Sequence, residues 1–195
     1  YAKPGLYWGQ KPNSLCLETI TLDSAVNRAD RRAIDLGCGE GRDLIQFARY
    51  GYESVGVDIS ARGLEKAEAW AEEEGLIIRT FRSDLIDYRL NEAFDIVYSS
   101  GTLTYLPPHV RRDVFSNYKR FTRPGGLNAF NVFVEKPFLA TPPDWGINEY
   151  FYISGELMTY YWDWEIVKFE ETIFDCNSDG VPHKHAMDVM IVKRI

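Results

Sequence analysis

The sequence predicts an α/β fold, a doubly wound sheet of seven strands, mostly parallel with an antiparallel last strand, in one domain over residues 1–195. Three observations predict it. The apolar run Ala33-Ile34-Asp35-Leu36 leads into Gly37-Cys38-Gly39-Glu40-Gly41 and then into the helical pattern Leu44-Ile45-Gln46-Phe47-Ala48. A second short apolar run ends in Asp58, 23 residues after Asp35. Strand-like and helix-like segments then keep alternating, which argues a parallel sheet with helices on both faces.

The elements follow in order. Residues 33–36 are strand one, and 44–48 sit in the first helix. Residues 51–58 read as strand two, and Ser60 is the N-cap of a helix through Leu64, Ala67, Trp70 and Ala71 that Gly75 ends. Residues 76–81 are strand three, with Ser83-Asp84-Leu85 at its carboxyl end. Residues 94–100 are strand four, and Pro107-Pro108 opens a helix over 110–121. Arg123-Pro124-Gly125-Gly126 is a turn into strand five, 127–134. Residues 165–175 make strand six, Asn177-Ser178-Asp179-Gly180 a hairpin turn, and 183–191 strand seven.

The glycine turn indicates a nucleotide cofactor, because glycine takes positive φ freely and lets backbone approach a ligand closely. A dinucleotide fingerprint wants a third glycine at position 42, where this chain has Arg42, and lacks an acid at the place of Asp35. An acid before Gly-x-Gly-x-Gly resembles motif I of the class I S-adenosylmethionine-dependent methyltransferases, a Rossmann-like fold. Asp58, Asp84 and the Ser99-Ser100-Gly101 turn all fall at carboxyl ends of strands, where such sheets bind ligands. The resemblance implies that S-adenosylmethionine is the cofactor and S-adenosylhomocysteine the product. It implies cofactor binding by Asp35, Gly37, Cys38, Gly39 and Arg42 at the turn. Asp58 and Ile59 would lie at the ribose, Asp84 and Leu85 at the adenine, and Ser100 at the methionine end. The order Tyr7-Trp8-Gly9, Asp35-Leu36-Gly37-Cys38-Gly39, Gly51-Tyr52, Pro124-Gly125-Gly126 and Gly155-Glu156-Leu157 with Tyr160-Tyr161 and Trp164 is similar to the tellurite-resistance methyltransferases. That branch implies methyl transfer to a small soft or anionic nucleophile such as tellurite or selenite, with thiol or other small-metabolite acceptors as the alternative. Some members of the branch carry a His-Ser pair in the N-terminal segment, where this chain reads Asn13-Ser14. A nicotinamide-dependent oxidoreductase and a non-catalytic cofactor binder are the distant alternatives.

Composition narrows the partners. The chain has 195 residues, 45% of them hydrophobic, enough for one domain to bury roughly 70% of its unfolded surface. A net charge of −7 argues against nucleic acid, whose binders carry basic patches. No apolar run reaches bilayer length, so a cytoplasmic monomer or homodimer acting on a small molecule, with no membrane partner, is expected. The three cysteines have no metal-ligand spacing, fit a reducing cytosol, and give no expectation of a metal. The stretch 135–148, with Pro137, Pro142 and Pro143, is either a lid over the substrate or a surface crossover.

Catalytic candidates are few. His109, His183 and His185 are the only histidines. An antiparallel last strand would begin at the carboxyl edge of the parallel ones, and residues two apart share a face. His183 and His185 are therefore expected to point together into the substrate pocket, with Lys184 a further candidate; as hairpin residues they would instead satisfy backbone carbonyls. The N-terminal segment 1–30 is expected to cap the cofactor cleft, with Trp8 or Tyr7 facing the sulfonium or packing on the first helix. Tyr160, Tyr161, Trp162 and Trp164 read as core.

Overall fold

A computed structural model describes residues 5–23, 30–142, 148–177 and 180–195. Seven strands form one sheet in the order β3-β2-β1-β4-β5-β7-β6. The strands are β1 (Arg32–Leu36), β2 (Glu53–Asp58), β3 (Ile78–Arg82), β4 (Phe94–Ser100), β5 (Thr122–Val134), β6 (Glu165–Cys176) and β7 (His183–Lys193). β1 pairs in parallel with β2 and β4, β2 with β3, and β4 with β5, while β7 runs antiparallel between β5 and β6. The predicted architecture, antiparallel last strand included, is the one observed.

The helices cover both faces. On one face lie α1 (Ser14–Leu22), α2 (Arg42–Arg49) and α3 (Ala61–Glu73), packed through Leu15, Cys16, Ile20, Phe47 and Leu64. On the other lie α4 (Pro108–Arg120) and α5 (Glu156–Tyr160), over a larger cluster that includes Val97, Phe115, Tyr118, Phe130 and Tyr161. Local chemistry sets the boundaries. Ser60 accepts the Gly63 amide at 3.1 Å and caps α3, and Pro107 and Pro108 open α4, where a missing amide costs nothing.

Four readings need correction. Strand three starts at Ile78, not at 76. The segment between β3 and β4 contains no helix, so one of the expected alternations is a bare crossover. Residues 123–126 extend β5 rather than preceding it, with a register shift against Phe94 and Ile96. There Gly126 lets the backbone close in, since a Cβ would meet the Asp95 carbonyl at 2.7 Å. Of the aromatic cluster, Tyr161 is fully buried but Trp162 is 80% exposed, because α5 ends at Tyr160 and turns Trp162 outward.

Candidate functional site: a glycine turn and an acceptor face

The glycine turn between β1 and α2 is held by backbone and by one carboxylate. The Gly37 and Cys38 amides both donate to the Val57 carbonyl, at 2.7 and 3.1 Å. Asp58 accepts the Gly39 amide at 2.8 Å with one oxygen and the Ser60 amide at 2.8 Å with the other. It therefore fastens the turn to the start of α3. Gly37 has φ +83°, and a Cβ there would sit 2.3 Å from the Thr102 side chain, so no other residue fits the turn without moving its neighbour. Cys38 is buried with its Sγ against Gly56, and burial together with the Asp35 and Asp58 charges pushes its thiol well up, so it fills space as a neutral group. Ile59 is exposed beside Asp58, Leu85 is buried, and Asp84 accepts the Ile86 amide at 2.9 Å.

This end of the sheet is acidic and dry. Asp35, Asp43 and Asp58 are all less than 10% exposed. Burial drives the Asp35 carboxyl well above the ordinary range; Asp43 and Asp58 add to it, and Arg42 opposes. Arg42 lies 3.2 Å from Asp43, which also accepts the Asn13 amide at 2.7 Å and the Tyr98 hydroxyl at 3.0 Å. A pyrophosphate would meet three carboxylates here. A ligand carrying positive charge fits, and the sulfonium and ammonium of S-adenosylmethionine answer to that chemistry.

The N-terminal segment is fastened to the same turn. Buried Glu40 accepts the Tyr7 amide and the Lys66 ammonium, and Lys66 also donates to the Gly5 carbonyl at 2.7 Å. Leu6 packs against Ile45, Trp70 and Ala71. Trp8, by contrast, is 59% exposed and meets Tyr7 edge-on at 4.8 Å. Leu6, rather than an aromatic ring, is the residue of this segment that packs on α2 and α3.

Beyond the turn lies the second half of the site. The Ser100 hydroxyl oxygen, at the carboxyl end of β4, accepts the side-chain amides of Asn13 and Asn131, each at 3.1 Å. The Asn131 Oδ1 is buried and has no partner among the described residues. Asn131 also lines a cavity of about 360 Å³ between α1 and the β5-β7-β6 face, bounded also by Asn13, Lys168, Thr172, Phe174 and Met187. Lys168 is tied to Glu18 at 2.6 Å and Glu170 at 3.4 Å.

His183 and His185 do point together, with their Nε2 atoms 2.9 Å apart. They do not line this cavity, which ends at Phe174 and Met187; His185 is buried against Phe133 and Phe174, with ring centroids at 4.9 and 5.6 Å. Lys184 occupies the opposite face and pairs with Asp175 at 2.7 Å, and His109 is exposed on α4. The structure thus groups Asp35, Gly37, Cys38, Gly39, Arg42 and Asp58 at one end and sets the two imidazoles apart. The lid expected at 135–148 falls partly on 143–147, outside the described residues. Sequence reasoning missed Asp43, Glu40, Thr102 and Asn131; only Asn13 had a signal, as a departure from the branch's pattern.

Comparison with known proteins decides the class. The methyltransferase-domain family matches residues 33–126, the span from β1 through the glycines of β5. Residues 33–126 thus match a methyltransferase domain, and the chain resembles the class I S-adenosylmethionine-dependent methyltransferases. It resembles the probable S-adenosyl-L-methionine-dependent methyltransferase TehB of Haemophilus influenzae, with 24% identity over 89% of this chain and 59% of that protein. It is 26% identical to Hemagglutinin 1 of Eikenella corrodens over 86% of this chain and 55% of that one. The chain thus spans well under two thirds of these curated relatives. The fold is shared with the crystal structure of Haemophilus influenzae TehB, at a TM-score of 0.83 and 20% identity over 97% of this chain and 64% of the other. It is shared too with a methyltransferase of Methanosarcina mazei, at 0.69 and 19% over 95% and 99%. The methyltransferase domain accounts for the acidic turn. Among the described residues no helix is long and apolar enough to cross a membrane.

Proposed function

We propose that the chain transfers the methyl group of S-adenosylmethionine to a small soft or anionic nucleophile, with tellurite and selenite the first acceptors to test. The observation that carries this reading is the state of the cavity's ionisable groups. Glu18, Lys168 and Glu170 are joined in one ion-pair chain, so none is placed as an independent base. An acceptor that is nucleophilic without losing a proton suits such a cavity; an alcohol or amine would need a base. S-adenosylmethionine supplies a methyl group already activated on a sulfonium. The chain's task is then to hold and orient the two partners and keep water out.

In this reading the Gly37–Gly39 turn, Asp35 and Arg42 hold the methionine part together with Ser100. Asp58 with Ile59 meets the ribose, and Asp84 with Leu85 the adenine. The segment fastened through Tyr7 and Glu40 caps the cleft within a single domain spanning residues 1–195. Asn131 offers its Oδ1 to a donor on the acceptor. The net charge of −7 supports a small molecule over nucleic acid.

The test is S-adenosylhomocysteine formation with tellurite, selenite and a panel of small thiols, with the methylated product identified by mass spectrometry. One acceptor that yields both products in equal amounts supports the reading. Cofactor binding with no turnover on any of them would reduce the protein to a cofactor binder, and turnover only with alcohols or amines would overturn the soft-nucleophile assignment.

A further inference from the structure

The hairpin between β6 and β7 gathers three metal-ligating side chains that methyl transfer does not require. Cys176, the last residue of β6, pairs in register with His183, the first of β7, while His185 pairs with Phe174. Residues two apart on a strand share a face, so all three side chains project from the same side of the sheet. One donor atom from each, the thiol sulfur and one ring nitrogen per histidine, falls within 4.8 Å of the others. The two Nε2 atoms are already 2.9 Å apart.

His183 is oriented as a ligand, and His185 is held beside it. His183 Nδ1 lies 2.8 Å from the Val181 carbonyl, which only accepts, so the Nδ1 carries the proton and the Nε2 presents its lone pair. A backbone carbonyl on the far nitrogen is the arrangement that fixes the tautomer of metal-bound histidines. His185 is 5% exposed and walled by Phe133 and Phe174, so its ring cannot swing away. The neighbouring ammonium of Lys184 points to the opposite face, toward Asp175.

We propose that Cys176, His183 and His185 bind a zinc-class cation through one sulfur and two nitrogens. Donors around a tetrahedral zinc stand about 3.3–3.6 Å apart, so the ring nitrogens part slightly and the sulfur moves in by side-chain rotation alone. Three protein ligands leave the fourth position to water or an exogenous ligand. Binding replaces the histidine-to-histidine hydrogen bond with two metal–nitrogen bonds: the proton on His185 Nε2 is exchanged through solvent for one on Nδ1, and the cysteine proton leaves to solvent. The metal would staple the hairpin and take both imidazoles out of any proton-transfer role. Cys176 and the histidines are separated by residues 177–182, so the cysteines' mutual spacing gives no warning of the site; strand register alone creates it.

The test uses the full chain, stripped with a chelator and kept reduced, titrated with Co²⁺ by absorption and with Zn²⁺ by calorimetry. One Co²⁺ per chain with tetrahedral ligand-field bands and a sulfur-to-metal charge-transfer band is expected, displaced by one Zn²⁺. Cys176→Ser should lose the charge-transfer band, and Cys176→Ser, His183→Ala and His185→Gln should each weaken Zn²⁺ by more than ~10-fold. The exposed His109→Ala should bind like the parent. Cys176 and His183 are only half-buried, so folding of those variants, checked by circular dichroism, is expected to be intact. No stoichiometric binding, or a charge-transfer band that survives in Cys176→Ser, would overturn the assignment. Neither readout depends on methyl transfer.

Discussion

Asp58→Ala removes the carboxylate that joins the glycine turn to α3, and its cost can be worked from two bonds. Each oxygen of Asp58 accepts one backbone amide at 2.8 Å, from Gly39 and from Ser60. A hydrogen bond to a charged group is worth ~1.5–3 kcal/mol. Ser60 is half-buried, so water recovers part of the loss at its amide, whereas Gly39 is buried and its amide stays unpaired. A net loss of ~2–3 kcal/mol follows, which for a chain of this size lowers Tm by roughly 4–12 °C. Asp58→Asn should do no better: its one carbonyl oxygen serves one amide while its NH₂ faces the other, donor against donor. Differential scanning calorimetry reads the stability, and titration with S-adenosylmethionine should show affinity down by at least ~10-fold, the equivalent of ~1.4 kcal/mol. If Asp58→Asn melts with the parent, the clamp is not a carboxylate clamp. If both variants melt low yet bind the cofactor normally, Asp58 is structural only and the ribose assignment fails.

Three further outcomes follow from the same geometry. Asp35 has a carboxyl raised by burial, by Asp43 and by Asp58, against Arg42, so the folded state holds a proton that the unfolded chain has lost. Stability should therefore fall as pH rises from the ordinary carboxylate value toward the raised one and level off above it, while affinity for a cationic cofactor rises over the same window. Asp35→Asn should flatten both curves, and parallel pH profiles for variant and parent would refute this. Arg111, 1% exposed, donates to both oxygens of Glu156 at 2.9 and 3.0 Å and to the Leu106 and Tyr150 carbonyls, and lies over the Tyr152 ring at 3.5 Å. Arg111→Ala strands a carboxylate and should cost ~3–5 kcal/mol, read as a lower urea midpoint; a midpoint unchanged would mean the pair is not what locks α4 to α5. Ser100→Ala leaves the Asn13 and Asn131 amides without their shared acceptor and should raise KM for the acceptor several-fold. An effect on cofactor affinity alone would place Ser100 wholly at the methionine end.

The fold was legible because its signals are local. The acid-glycine turn, the Ser60 cap and the paired prolines each fix a boundary within a few residues, and the apolar runs 33–36 and 94–100 are buried almost throughout. The misreadings have local causes too. Arg123-Pro124-Gly125-Gly126 has turn composition, but the Arg194 backbone hydrogen-bonds Gly125 and Gly126 and holds them in the sheet, with Gly126 close against the Asp95 carbonyl. Helix α1 was hidden because Ser14–Leu22 mixes threonines with leucines and draws its stability from packing on β5 and α2. The glycine turn and its clustered carboxylates were legible for the same reason as the fold. The other half of the site was not, because nothing local encodes it: Asn13 meets Ser100 across 87 residues, and Ser100 meets Asn131 across 31.

That long-range joint explains how the two halves are coupled. Asn13 caps α1, accepting the Leu15 amide at 2.9 Å with Oδ1 while its Nδ2 reaches Ser100, and its own backbone amide is held by Asp43 in the acidic turn. One residue therefore ties the helix that walls the cavity both to β4 and to a buried carboxylate beside Asp35. A positive charge arriving at the turn changes the balance among Asp35, Asp43 and Arg42, and Asp43 is the member that also grips α1. If the acidic turn holds the sulfonium as proposed, the N-terminus of α1 is sensitive to the cofactor's charge, which methyl transfer would change as the sulfonium becomes a neutral thioether. The residue that departs from the tellurite-resistance pattern stands at this joint, so the acceptor wall is the place where this chain's specificity would diverge from its relatives.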